Sequence, residues 1–118
     1  MHSLNPLFLH TVNVERSNFN KMAKDAKVDK FVYPSKHFFE RVVERNLSAL
    51  DAFTMMVPVI REFRNSTYNQ RSFCVIWKQY KLFANFTVGP ISGERKVCMK
   101  TMYDRDIDES NFDVVIKL

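Results

Sequence analysis

Glycine and proline are scarce in this chain, two and four residues among 118. So little glycine excludes a Gly-rich phosphate cradle, and neither a collagen-like repeat nor a proline-rich linker fits. Two cysteines, Cys74 and Cys98, are too few for a disulfide framework, so a reduced thiol pair is expected. The three histidines, His2, His10 and His37, are scattered, and neither cysteine has a second Cys or a His at metal-ligand spacing. No metal site is expected, and no cofactor is implied. No apolar run approaches the ~18 residues a membrane helix needs. Met1–Asn5 lacks the basic start and apolar stretch of a signal peptide. A cytoplasmic protein without a membrane partner is the expectation.

What the chain has in quantity is aromatic side chains, 14% of its residues, eleven of them Phe. A domain of this size buries only about two-thirds of its unfolded surface. Large rings gain more burial per residue than aliphatics, which suits a small core. Hydrophobic residues at 46% and charged residues at 26% are those of one globular domain spanning 1–118.

The net charge of +5 is unevenly spread. Asn65–Tyr103 carries Arg71, Lys78, Lys81, Arg95, Lys96 and Lys100 against Glu94 alone, whereas Asp104–Leu118 has five acidic residues and two basic ones. A basic block of this kind attracts phosphate backbones, making RNA or another polyanion the expected partner. The acidic tail is placed either folded back on the basic face or at an edge that repels substrate.

Along the chain, Pro6–Val14 reads as a short strand, and Ser17 as the cap of a helix over Asn18–Lys27. Residues 1–30 are thus an N-terminal extension with a short helix, 31–64 the helical part and 65–118 the strands. Phe31–Tyr33 is strand-like and closed by Pro34. His37–Asn46 is the clearest helix, with Phe38, Phe39, Val42 and Val43 on one side and His37, Arg41 and Arg45 as a stripe at four-residue steps. Ser48 and Asp51 resemble a capping box for a helix with Leu50, Phe53 and Val57 as its apolar positions, which Pro58 should end. Strands are then expected over Val59–Arg64, Ser72–Tyr80, Leu82–Val88, Lys96–Tyr103 and Phe112–Leu118, with turns at Asn65–Gln70 and Gly89–Gly93. In Lys96–Tyr103, Val97, Met99, Thr101 and Tyr103 share one face. Helices followed by consecutive strands predict an α+β fold, with N-terminal helices packed on one face of a mostly antiparallel sheet. Trp77 and Met55-Met56 are assigned to the core, with Trp77 beside Lys78 and Tyr80 as an alternative stacking platform.

The constellation with chemical content is His37, Arg41 and Arg45. RNA cleavage without a metal needs a base for the 2′-hydroxyl, a cation at the phosphate and a donor for the leaving oxygen. An imidazole titrates near neutrality and serves as base or acid. A guanidinium fork matches phosphate oxygens. A His and two Arg at a helix edge are more often a solvated stripe, so the spacing alone does not decide for catalysis.

The run from Tyr33 to Ser48 (YPSKHFFERVVERNLS) resembles the signature of small RelE/BrnT-like domains of bacteria and their phages. That signature is a strand, Ser or Thr, a spacer, His, apolar residues, Arg, and then Glu-Arg with Leu-Ser opening the next helix. Met99-Lys100-Thr101-Met102-Tyr103 is similar to the family's closing strand. Met1–Lys30 has no counterpart. The resemblance implies a ribonuclease-toxin fold in which His37, Arg41, Arg45, Thr101 and Tyr103 are the catalytic positions. Arg64, Arg71, Lys78, Tyr80 and Lys100 would contact nucleic acid in place of the family's dense basic cluster. A metal-independent endoribonuclease of toxin type is the function it implies, with a cognate antitoxin as a partner. The competing expectation is a non-enzymatic phage protein that grips and inhibits a host protein or nucleic-acid complex through its basic sheet and exposed aromatics. The sequence leaves the oligomeric state open.

Overall fold

Asn5 opens the first helix. Its side-chain oxygen accepts from the N–H groups of Leu7 at 2.9 Å and Phe8 at 3.4 Å, and Pro6 occupies the first helical position, where a missing N–H costs nothing. In the computed structural model, which describes residues 5–65, 72–88 and 95–118, this helix, α1, runs over Pro6–Asp25. The strand expected at Pro6–Val14 is therefore helix, and Ser17 sits inside it rather than capping it. The helical step was present in the sequence: Phe8, Val12, Phe19, Met22 and Ala23 all turn towards the core.

A 3₁₀ turn (Asp29–Phe31) and a short strand, β1 (Val32–Pro34), lead into α2 (Lys36–Glu44). Phe38, Phe39 and Val42 of α2 are fully buried. Phe39 meets Phe19 edge-on at 5.4 Å and Phe38 at 5.3 Å, which locks α2 onto α1. Helices α1 and α2 end alike. The N–H of Val28 reaches the carbonyl of Ala23, and that of Leu47 reaches Val42, both at 2.9 Å. The intervening residues, Lys27 and Asn46, take left-handed conformations with φ of 60° and 55°. A chain poor in glycine thus ends two helices on Lys and Asn.

Helix α3 (Ala49–Asn65) begins where the capping box placed it. The Asp51 carboxylate accepts from the Ser48 N–H at 2.8 Å, and Glu15 of α1 accepts from the Ala49 N–H at 3.1 Å. Pro58 does not end this helix, and the strand expected at Val59–Arg64 is its last two turns. Val59, Ile60 and Phe63 are buried beside Ala52, Met55 and Met56, and that burial outweighs the missing bond to the Thr54 carbonyl. Leu50, expected to face the core, is 62% exposed.

The described strands form one sheet in the order β1-β4-β3-β2-β5, with β2 (Ser72–Trp77), β3 (Tyr80–Val88), β4 (Arg95–Tyr103) and β5 (Val114–Lys117). The central pairs, β2/β3 and β3/β4, are antiparallel, while β1/β4 and β2/β5 are parallel. The fold is α+β as read from the sequence, but its sheet is mixed because both edge strands return in parallel. Strands β2 and β3 meet through Lys78-Gln79, with Lys78 left-handed at φ 58°. The turns expected at Asn65–Gln70 and Gly89–Gly93 fall, but for Asn65 at the end of α3, outside the described residues. Trp77 is half-buried against the core, and Met55 and Met56 lie within it.

Replacing Pro58 with Ala restores a helical hydrogen bond and should raise unfolding free energy in urea by roughly 1–3 kcal/mol; an unchanged or lower value would show that the proline is needed. Burial pushes the fully buried Cys74 thiol up to about 11 from an ordinary value of 9.0, with Glu109 adding and Lys81 opposing. The folded chain then keeps a proton that the unfolded chain releases, so stability falls as pH rises from about 9 to 11. Cys74→Ala should remove up to roughly 2–3 kcal/mol of that fall, read as the difference between wild-type and variant urea curves across this range. Parallel curves would contradict the assignment.

Candidate active site

The Ser35 hydroxyl holds the site together. It accepts from the Phe38 N–H at 3.1 Å as the cap of α2, and it donates to the Met99 carbonyl of β4 at 2.8 Å. At that point the β3/β4 register slips: Ala84 lies opposite Met99 and Phe83 opposite Thr101, so Lys100 is an extra residue. A bulge of this kind bends a strand and re-aims its side chains. It explains why the alternation read from the sequence fails, since Val97 and Met99 are buried but the next fully buried residue is Met102, not Thr101. The result is a meeting of α2 and β4. His37 Nε2 lies 3.3 Å from Thr101 Oγ1, with either group able to donate according to the imidazole tautomer. The His37 side chain is 51% exposed, and its Nδ1 is 3.8 Å from a Glu40 carboxylate oxygen.

The two arginines of the stripe do not stand open beside this pair. Arg41 is ion-paired with Glu44. Arg45 is only 17% exposed, lies 3.4 Å from Asp104 and 3.7 Å from Glu44, and donates to the Arg41 carbonyl. The acidic tail has folded back: Asp104 meets Arg45, and Asp106 meets Lys81, whose ammonium also donates to the Arg105 carbonyl at 2.8 Å. Fold-back was one of the two placements the sequence allowed for the tail; that it engages one of the expected phosphate clamps was not foreseen.

Thr101 also lines an open depression of about 590 Å³ with Lys100, Tyr103 and Arg105, alongside Asp106 and Asp108. The Arg105 guanidinium lies 4.6 Å from the centre of the Tyr103 ring. Of the expected positions, the structure brings His37 to Thr101, and Thr101 lines the depression with Lys100 and Tyr103. The others are dispersed. Arg64 is over Phe31 at the end of α3, Lys78 is over Trp77 in the hairpin turn, and Tyr80 is packed against the core. Arg71 lies outside the described residues. Arg105 was not foreseen: it is hidden in an acidic run, and it reaches the Tyr103 ring through a bend just past the end of β4, which no periodicity signals. Sequence reasoning also gave Ser35 no role of its own, where a serine two residues ahead of a helical His signals a cap that positions the ring.

No cluster of three or more His, Cys, Asp or Glu suited to a metal occurs among the described residues, and none of their helices is long and apolar enough to cross a membrane. Compared with family models, curated proteins and solved structures, the chain finds no match.

The pairing of Arg45 predicts a structural role that Arg41 lacks. Arg45→Ala should lower the unfolding free energy by roughly 1–3 kcal/mol, and Arg41→Ala by less than about 1 kcal/mol, both measured by urea titration. A larger loss for Arg41 would reverse the assignment.

Proposed function

We propose that this protein binds single-stranded RNA at the junction of α2 and β4 and cleaves it by acid–base chemistry at His37. The observation that supports this reading most is the exposed imidazole held 3.3 Å from Thr101, a residue that itself lines a depression with Lys100 and Arg105. The imidazole takes the proton of a 2′-hydroxyl, and the resulting oxygen attacks the adjacent phosphorus. The bond to the 5′-oxygen breaks, that oxygen takes a proton from water while the imidazolium returns its own to solvent, and the products carry a 2′,3′-cyclic phosphate and a free 5′-hydroxyl. Lys100 and Arg105, which line the depression beside Thr101, stabilise the charge on the phosphate oxygens. Thr101 orients the imidazole through its hydroxyl. Tyr103, whose ring is stacked by Arg105, offers a face to a base. A RelE/BrnT-like relationship, a toxin or phage role and an antitoxin partner belong to this proposal, resting on the resemblance of Tyr33–Ser48 and Met99–Tyr103.

The test is incubation of end-labelled single-stranded RNA with purified protein in excess EDTA. The expected result is cyclic-phosphate products from the wild type and a loss of about 10²–10⁴-fold in rate for His37→Ala. Binding should weaken with salt, and Lys100→Ala should reduce the slope of log K against log salt by about 0.7. Cleavage that is absent, or equal in His37→Ala, contradicts the catalytic reading. Binding that is flat with salt contradicts the RNA reading itself.

A further inference from the structure

Helix α3 has a second face that the core covers only in part: Phe53 packs against the core with its ring 6.1 Å from that of Phe19, and Leu50 is exposed. Leu50, Phe53, Val57, Arg61 and Arg64 recur at three- and four-residue steps, which puts them in one row along the helix. The first three are the positions the sequence reading assigned to the core. In the fold Leu50 is exposed, Phe53 and Val57 are half-buried, and Arg61 and Arg64 are exposed. The row is therefore apolar at its N-terminal end and basic at its C-terminal end.

This row borders a groove. Between α3 and the end of α1 lies a cavity of about 230 Å³, with Val28, Phe53, Val57 and Ile60 as its apolar wall and Arg61 and Arg64 at its rim. A second, more open hollow of about 690 Å³ shares Phe53, Val57 and Arg61 and extends to Trp77 and Lys78. No Asp or Glu lines either hollow among the described residues, and neither guanidinium has a carboxylate partner among them. Arg64 rests over the Phe31 ring at 5.8 Å, and Lys78 over Trp77 at 4.5 Å. This contrasts with Arg41, Arg45 and Lys81, whose charges carboxylates of this chain already answer.

Size and charge together select the occupant. The two hollows share Phe53, Val57 and Arg61 and so lie side by side along α3, a shape that takes apolar side chains presented in a row. The row from Leu50 to Arg64 is about 21 Å long at 1.5 Å per residue, which is the length of a four-turn helix laid alongside it. The unanswered cations at one end call for carboxylates there. We infer that this groove docks an amphipathic helix of a partner protein, with its apolar face on Leu50, Phe53 and Val57 and its acidic residues beside Arg61 and Arg64. Helix-in-groove recognition of this kind reads anchors at one-turn spacing, and the basic end fixes the direction in which the partner lies.

Trp77 is the chain's single tryptophan and borders the second hollow, so its fluorescence reports occupancy. The probe is a synthetic 15-residue helical peptide with Leu on one face and Glu on the other, tested beside a scrambled peptide of the same composition and a Lys-for-Glu version. The inference expects saturable binding of the Glu peptide with Kd below about 100 μM and a shift in Trp77 emission. It expects at least about tenfold weaker binding by the scrambled and Lys peptides. Leu50→Glu and Arg61→Glu, both at exposed positions, should each weaken binding at least about fivefold while circular dichroism and the urea midpoint stay those of the wild type. Equal binding of the scrambled peptide, or none of the Glu peptide, overturns the inference. A shift of Trp77 by oligouridylate that Arg61→Glu abolishes, without peptide binding, also overturns it and gives the groove to nucleic acid.

Discussion

One hydroxyl, that of Ser35, is shared by two backbones. It receives the Phe38 N–H of α2 and gives its own proton to the Met99 carbonyl of β4. Each bond is ordinary, but together they set the start of a helix against a bulge in a strand. Their consequence is positional. His37 lies two residues beyond the serine, on the first turn of α2, and Thr101 lies two residues beyond Met99, past the extra residue Lys100. Neither element brings those side chains together alone. The buried rings of Phe38 and Phe39 then fix how α2 is rotated, so that its basic and imidazole-bearing edge faces outward.

Local signals were legible where they were self-contained. The α2 wheel, the Ser48–Asp51 box, the hairpin strands and the α+β class all follow from short windows of sequence. The failures arise where burial by distant elements overrode a local preference, or where a local helix signal was passed over. Pro58 reads as a stop, yet Val59, Ile60 and Phe63 carry α3 onward because the core rewards them. Pro6–Val14 has strand-like residues, yet the Asn5 cap and a helical row of apolar positions against α2 and α3 decide it. Leu50, Phe53 and Val57 were named as the apolar positions of this helix, whereas the small Ala49 and Ala52 are buried beside Met55 and Met56 and Leu50 is exposed.

The site was half legible, and its electrostatics were not. His37, Thr101, Tyr103 and Lys100 were named from the sequence; His37 meets Thr101, which lines the depression with the other two. The stripe spacing of Arg41 and Arg45 was also right, but spacing says nothing about who answers a charge. The tail supplies Asp104 and Asp106, which meet Arg45 and Lys81 from far along the chain. The basic block of the middle strands is thereby partly neutralised at the sheet, leaving the α3 face with cations that have no carboxylate partner among the described residues.

The most direct measurement of this account is the nuclear Overhauser contact between the His37 ring and the Thr101 methyl group, in the wild type and in Ser35→Ala. The account predicts a clear contact in the wild type that is lost or much weakened in Ser35→Ala, with the sheet and α1 resonances unchanged. A contact that persists undiminished without the hydroxyl, or that is missing from the wild type, would contradict it.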